Sequence, residues 1–333
     1  ITTEPVNTNN GFTMANIVVE VRDAQGNLVT DATDPSAGSA TLGGTLTQSA
    51  VAGIATFNDL TIDEVNTAYD FALTSTGLTG TTSASFNITQ SPATQLAITT
   101  QPSNTVAGVN IAPAITVELR DSNGTLVSDN TDNVTLTLGT DPSTGAATLG
   151  GTLTVAAVAG VATFNAVNID KAFTGYDLVA SSAALTTDTS TSFNITPAAK
   201  SKLAIITQPT DIEYNSNITP AVTVEIRDAF DNLTADTDSI SFAINNNPGT
   251  STLSGTTSVN AIAGTATFSD LNLDKSGVGY TLDATATGLT LDTSSAFNIT
   301  ATPTQLAITT EPVNTNNGFT MASVVVEVRD AQG

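Results

Sequence analysis

Three pairs of acidic residues recur at matching places along the chain: Asp31 and Asp34, Asp129 and Asp132, and Asp236 and Asp238. Each pair follows a short apolar stretch and its turn, not far from a further acid at Asp23, Asp121 or Asp228. Hard carboxylate oxygens presented by loops suit Ca²⁺. The same residues also make ordinary turns, because Asp and Asn bond to the backbone just ahead of them, and the spacings match no fixed calcium loop. Two readings therefore stand for these six residues, calcium ligands or turn formers. No other cofactor is implied.

Acid–base chemistry would need a different arrangement. Asp59 and Asp63 are a possible carboxylate pair, but they flank a short strand in a repeated unit, where solvated turn positions are expected. Ser and Thr are abundant, yet the chain has no His to activate them, and its four Lys, at 171, 200, 202 and 275, form no cluster beyond the pair 200 and 202. With no Cys as well, disulfides, thiolate chemistry and the usual zinc, copper and haem sites are excluded. The chain is expected not to be an enzyme.

Modification chemistry has more openings. Asn87, Asn123, Asn133, Asn194, Asn217, Asn232 and Asn298 stand in Asn-x-Ser/Thr sequons. Of these, Asn87, Asn194 and Asn298 lie between an inward Phe and an inward Ile, so they face outward and are the glycosylation candidates. Lys–Asn crosslinks cannot be general, because residues 1–93 contain no Lys.

Charge narrows the partners. Eight Lys and Arg stand against 31 Asp and Glu, a net charge of −23. The basic residues are scattered through the sequence, so no footprint for nucleic acid or anionic lipid is expected. No signal peptide, transmembrane run or anchoring motif is read within these residues, and no direct membrane insertion of this segment is expected. The acidity reads as solubility and mutual repulsion between neighbouring molecules.

The elements that carry these residues announce themselves by period two. In Ile17-Val18-Val19-Glu20-Val21-Arg22-Asp23, residues 17, 19 and 21 share one face and 18, 20 and 22 the other, which is a strand with one buried side. The phrase returns at 115–121, at 222–228 and at 324–330. Other landmarks keep pace with it: Phe57, Phe164 and Phe268 in Ala-Thr-Phe; Tyr69, Tyr176 and Tyr280 opening a later strand; and Phe-Asn-Ile-Thr at 86–89, 193–196 and 297–300. The period is about 100 residues, the size of a small β-sandwich. Within the second copy, seven strands are expected, the fourth over 147–155, the fifth over 161–169 and the sixth over 176–180. The tyrosines are in phase with inward Phe71, Leu178 and Leu282, so each is either a plain core residue or one whose hydroxyl bonds to backbone, as in a tyrosine corner.

The expected fold class is all-β: tandem immunoglobulin-like antiparallel β-sandwiches of about seven strands, arranged as a rod. The expected domains are 1–92, 93–198 and 199–302, with 303–333 as the first two strands of a further one. The joints are short and contain Pro at 92, 197 and 303, which suits stiff spacers. Residues 1–26 and 308–333 differ only at Asn16/Ser323 and Ile17/Val324, an offset of 307 residues. The larger repeat is therefore a three-domain block, and the chain reads as an excerpt from a longer parent.

Val117-Glu118-Leu119-Arg120-Asp121-Ser122-Asn123-Gly124-Thr125-Leu126-Val127, with Ala159-Gly160-Val161-Ala162-Thr163-Phe164 and Gly175-Tyr176-Asp177-Leu178, resembles the bacterial immunoglobulin-like domains of the invasin and intimin type. The resemblance runs through the whole chain, although the Asn-Pro-Val that commonly follows the turn is replaced by Asn27-Leu28-Val29, Thr125-Leu126-Val127 or Asn232-Leu233-Thr234. It implies a prokaryotic, extracellular, cell-surface location and no catalytic residues. It implies either a structural segment of a long rod or filament, whose partners are neighbouring copies of the same repeat, or an adhesin module whose loops hold a glycan or protein.

Overall fold

The computed structural model describes residues 1–9, 13–14, 17–20, 33–36, 41–63, 65–318 and 320–330. The described residues contain strands and no helix. Their buried apolar side chains separate into three clusters, one around Phe57, one around Phe164 and one around Phe268.

The third unit shows the layering most completely. Lys200–Thr207, Val222–Asp228 and Thr265–Phe268 form one antiparallel sheet. Opposite lies a sheet of Ile212–Glu213, Phe297–Thr300, Gly277–Thr285, Ser239–Asn246 and Ser258–Asn260, with Asp292–Thr293 also paired to Gly277–Thr285. Val222, Val224, Ile226 and Phe268 of the first layer meet Ile240, Tyr280, Leu282 and Phe297 of the second. This is an immunoglobulin-like sandwich. The second unit repeats it, with Ile115, Val117 and Leu119 all buried along Ile115–Arg120, as period two requires. The first unit keeps the antiparallel pair of Ile17–Glu20 with Ile54–Phe57, and Ala55 and Phe57 of the latter lie in its core.

Three expected strands are broken. The stretch expected to be one strand over 147–155 is Leu149–Gly151 followed by Thr154–Ala156, and the two pieces pair with different partners, Val167–Ile169 and Asn133–Leu138. Gly151 makes the change of sheet, at a φ of 98° and so close to Ala166 that a Cβ would overlap its carbonyl oxygen. The expected fifth strand is likewise Val161–Phe164 and Val167–Ile169. The expected sixth, over 176–180, is Thr174–Tyr176 paired with Phe193–Thr196 and Leu178–Ser181 paired with Asn133–Leu138. Period-two reading carries apolar alternation straight across such a bend, because the alternation itself does not change.

Tyr176 and Tyr280 take the backbone-bonded alternative. Tyr176 donates its hydroxyl to the Lys171 carbonyl at 3.0 Å, and Tyr280 donates to the Lys275 carbonyl at 2.9 Å. Both rings are fully buried, so an unmatched hydroxyl would be costly there. Gln305–Thr310 pairs with Val325–Arg329, and the two strands stand with their apolar side chains in solvent: Leu306 is 73% exposed, where its counterpart Leu96 is 5% exposed.

Candidate functional site: the joint between the second and third units

The turn after Val222–Asp228 is organised by the carboxylate of Asp228. Its Oδ1 accepts from the backbone N–H of Phe230 at 2.8 Å and of Asn232 at 2.9 Å. Its Oδ2 accepts from Ala198 N–H at 2.8 Å and from Asn232 Nδ2 at 2.9 Å. Burial pushes the Asp228 pKa up, and the hydrogen bonds from the Asn232 amide and from the N–H groups of Asn232, Ala198 and Phe230 overcome it, leaving the carboxyl below its ordinary value. One buried carboxylate thus ties the segment entering the third unit to that unit's own turn.

The turn in turn grips the second unit. Asn232 Nδ2 donates to the Asp170 carbonyl at 2.8 Å, and Asn232 Oδ1 accepts from Ala172 N–H at 2.9 Å. The Lys171 ammonium donates to the Phe230 carbonyl. The Phe230 ring lies against Gly108 so closely that a Cβ there would overlap it. Asn232 has only 6% of its surface exposed, so its amide is spent on the joint.

Charge gathers here although it is scattered in sequence. Lys202 Nζ lies 2.6 Å from Asp231, and Lys200 Nζ lies 2.6 Å from Asp238 and 3.6 Å from Asp236. Arg227 pairs with Glu225 at 2.7 Å. The hydrogen bond from Lys202, with the charges of Lys202, Lys171 and Arg227 behind it, lowers the Asp231 pKa despite some desolvation. The hydrogen bond that Lys200 donates to Asp238 leads in raising the Lys200 pKa. Lys171, Lys200, Lys202 and Arg227 are four of the chain's eight basic residues. Sequence reading missed this site, and the one signal for it was the pair Phe230 and Asn232 in a turn where the second copy has Asn123 and Thr125.

The candidate calcium ligands divide. Asp236 and Asp238 come together, on Lys200. Asp132 accepts from Asn130 Nδ2 at 3.0 Å in a turn, and Asp129 is exposed beside it. Asp31 lies outside the described residues, and Asp34 falls in the strand Thr33–Ser36. Among the described residues, no three His, Cys, Asp or Glu converge in a way that would hold a metal ion.

The candidate acids Asp59 and Asp63 are not aimed at one another. Asp59 accepts from Thr45 N–H at 3.0 Å and its hydroxyl at 2.6 Å, and Asp63 accepts from Thr41 N–H at 2.9 Å. The hydroxyl of Thr45 is the main cause of the lowered Asp59 pKa. Asp270 repeats the Asp59 arrangement with Thr256, and Asp170 and Asp274 repeat that of Asp63 with Thr148 and Thr252.

The sequon residues also have structural work. Asn87, Asn194 and Asn298 accept, through Oδ1, from the N–H groups of Ala68, Gly175 and Gly279, each at 3.0 Å. Those three acceptors' partners have positive φ and sit where the strand bulges before each tyrosine. Asn298 Nδ2, the atom a glycan would take, donates to Asp211 at 3.0 Å.

No protein-family model matches the chain, and no curated protein matches it. Among solved structures, it is similar to invasin, described as a bacterial integrin-binding protein, with 15% identity and a TM-score of 0.37 over 92% of this chain and 60% of that one. It is similar to the Escherichia coli adhesin FdeC, with 14% identity and a TM-score of 0.35 over 89% of this chain and 95% of that one. It is also similar to a β-glycosidase from Bacteroides vulgatus, with 12% identity and a TM-score of 0.28 over 62% of this chain and 24% of that one. The chain thus spans about a quarter of the length of the glycosidase and 60% of that of invasin.

Proposed function

We propose that this chain is a structural, non-catalytic segment of a long repetitive rod or filament on the outside of a prokaryotic cell. Its domains are 1–92, 93–198 and 199–302, with 303–333 opening a further one, and its partners are neighbouring copies of the same repeat. The observation that carries this reading is the use made of Asn232: a buried amide whose hydrogen bonds are spent across the joint on Asp170 and Ala172. A unit that only tethered its neighbour would have no need to bury such a group. The Asp and Asn residues that offered chemistry are engaged in the same internal, repeated way.

A second reading, an adhesin module, is favoured by one feature. A groove beside the joint is bordered by Phe173 and Leu233, each more than two-fifths exposed, with Arg227 at hand. Aromatic and Arg groups of this kind anchor protein interfaces. A glycan array and a pull-down with the intact chain separate the two. Saturable binding that is lost in Phe173→Ala favours the adhesin, and absence of binding together with native material several times heavier than 33.7 kDa favours the rod.

A further inference from the structure

The contacts that join the second unit to the third rest on side chains that the chain does not place at the joint before it. Aligned by the repeat, Glu64 takes the place of Lys171, Asn123 that of Phe230 and Thr125 that of Asn232. A carboxylate cannot donate to a carbonyl as the Lys171 ammonium does, and Thr has no amide to bridge an acceptor and a donor. Asn has no ring to cover a glycine. The turn itself is otherwise the same: Asp121 Oδ1 accepts from Asn123 N–H at 2.9 Å and Thr125 N–H at 2.8 Å, as Asp228 does from Phe230 and Asn232. The difference appears at the other oxygen. Asp228 Oδ2 has two donors, whereas the buried Asp121 Oδ2 has no hydrogen-bond partner among the described residues.

The receiving side is equally particular. Gly108 N–H donates to the Ile169 carbonyl at 2.8 Å, and Asn215 N–H donates to the Leu273 carbonyl at 2.8 Å, so the two residues hold equivalent places. Where Gly108 leaves room for a ring, Asn215 carries a side chain. A turn bearing Phe at the place of Phe230 therefore fits the end of the second unit and not that of the third.

We infer that the turn 228–233 is a mating surface for a single partner, the end of the second unit that carries Gly108, Asp170, Lys171 and Ala172. The second and third units then move as one body, and the joint between the first and second is the compliant one. On the spacer reading, this gives each three-unit block one stiff joint, between its second and third units. The mating itself does not depend on that reading, since a protein that bound a ligand would sink the spacer and leave the joint unchanged.

The test uses the whole chain, which has no Cys, with nitroxide pairs introduced by substitution at exposed sites: Thr74→Cys with Thr137→Cys across the first joint, and Thr137→Cys with Ala243→Cys across the second. Pulsed electron double resonance should give a narrower distance distribution across the second joint than across the first. Lys171→Glu with Phe230→Asn should widen the second to match the first while the melting of the units stays unchanged. Lys171→Gln with Phe230→Ala, which adds no new charge, should do the same. Equal widths in the unmodified chain, or no widening in both double variants, would overturn the inference.

Discussion

Tyr176 and Lys171 are joined by a hydrogen bond of 3.0 Å from the phenol to the backbone carbonyl, and the same Lys171 sends its ammonium to the Phe230 carbonyl of the next unit. A core residue of one sandwich thus fixes the backbone from which the joint is made. The buried ring cannot easily lose a proton: desolvation leads in pushing the Tyr176 phenol up to about 12.

Tyr176→Phe should therefore act in two places. The lost hydrogen bond should cost the second unit about 1 kcal/mol. The joint should also show faster amide exchange at Ala172, whose N–H is held by Asn232. Loss of stability with unchanged exchange at Ala172 would separate the core from the joint.

Phe164 is fully buried opposite Ile115 and belongs to the core of the second unit. Phe164→Ala should destabilise that unit by about 3–5 kcal/mol, as large aromatic deletions do. Hydrogen exchange under denaturant, read on Ile115–Arg120, measures it without confusion from the other units. A loss below about 1 kcal/mol would contradict the packing of a full aromatic core residue.

Asn194→Ala should leave the Gly175 N–H without its acceptor and cost about 1 kcal/mol. Asn194→Asp keeps an oxygen in the same place and should lose less. Chemical denaturation of the two variants compares them directly, and equal losses would mean that the oxygen at residue 194 is not what holds the bulge.

Acid should open the joint through Asp228. Its folded pKa lies below the ordinary carboxylate value, so its stabilising effect is fully present above the unfolded value of about 3.9 and disappears as pH falls through the lower, folded one. Exchange at Ala198, which donates to Asp228, should stay slow at neutral pH and rise only under strong acid. Asp228→Asn should expose Ala198 already at neutral pH and flatten its dependence on acid. A joint that loosens near neutrality in the unmodified chain would point to a different group.

The repeat, the inward faces and the nature of the core residues are all legible in the linear chain. Ile115, Val117 and Leu119 lie on one side, and Phe164 and Phe268 fall in equivalent buried places, because the alternation of a strand is local and needs no knowledge of what packs against it. Gly151 shows where that logic stops. The apolar pattern runs through it unbroken, and only the closeness of Ala166 in the folded sheet makes a glycine with positive φ the place where the strand changes partners. The joint lies further out of reach. Asn232 meets Asp170 across 62 residues, and Lys171 meets Phe230 across 59, so residues that look like solvated polar groups and a stray aromatic in sequence become one interface. Such a contact depends on how the end of one sandwich is presented to the start of the next. No period within either unit encodes that placement, and the tertiary structure alone decides it.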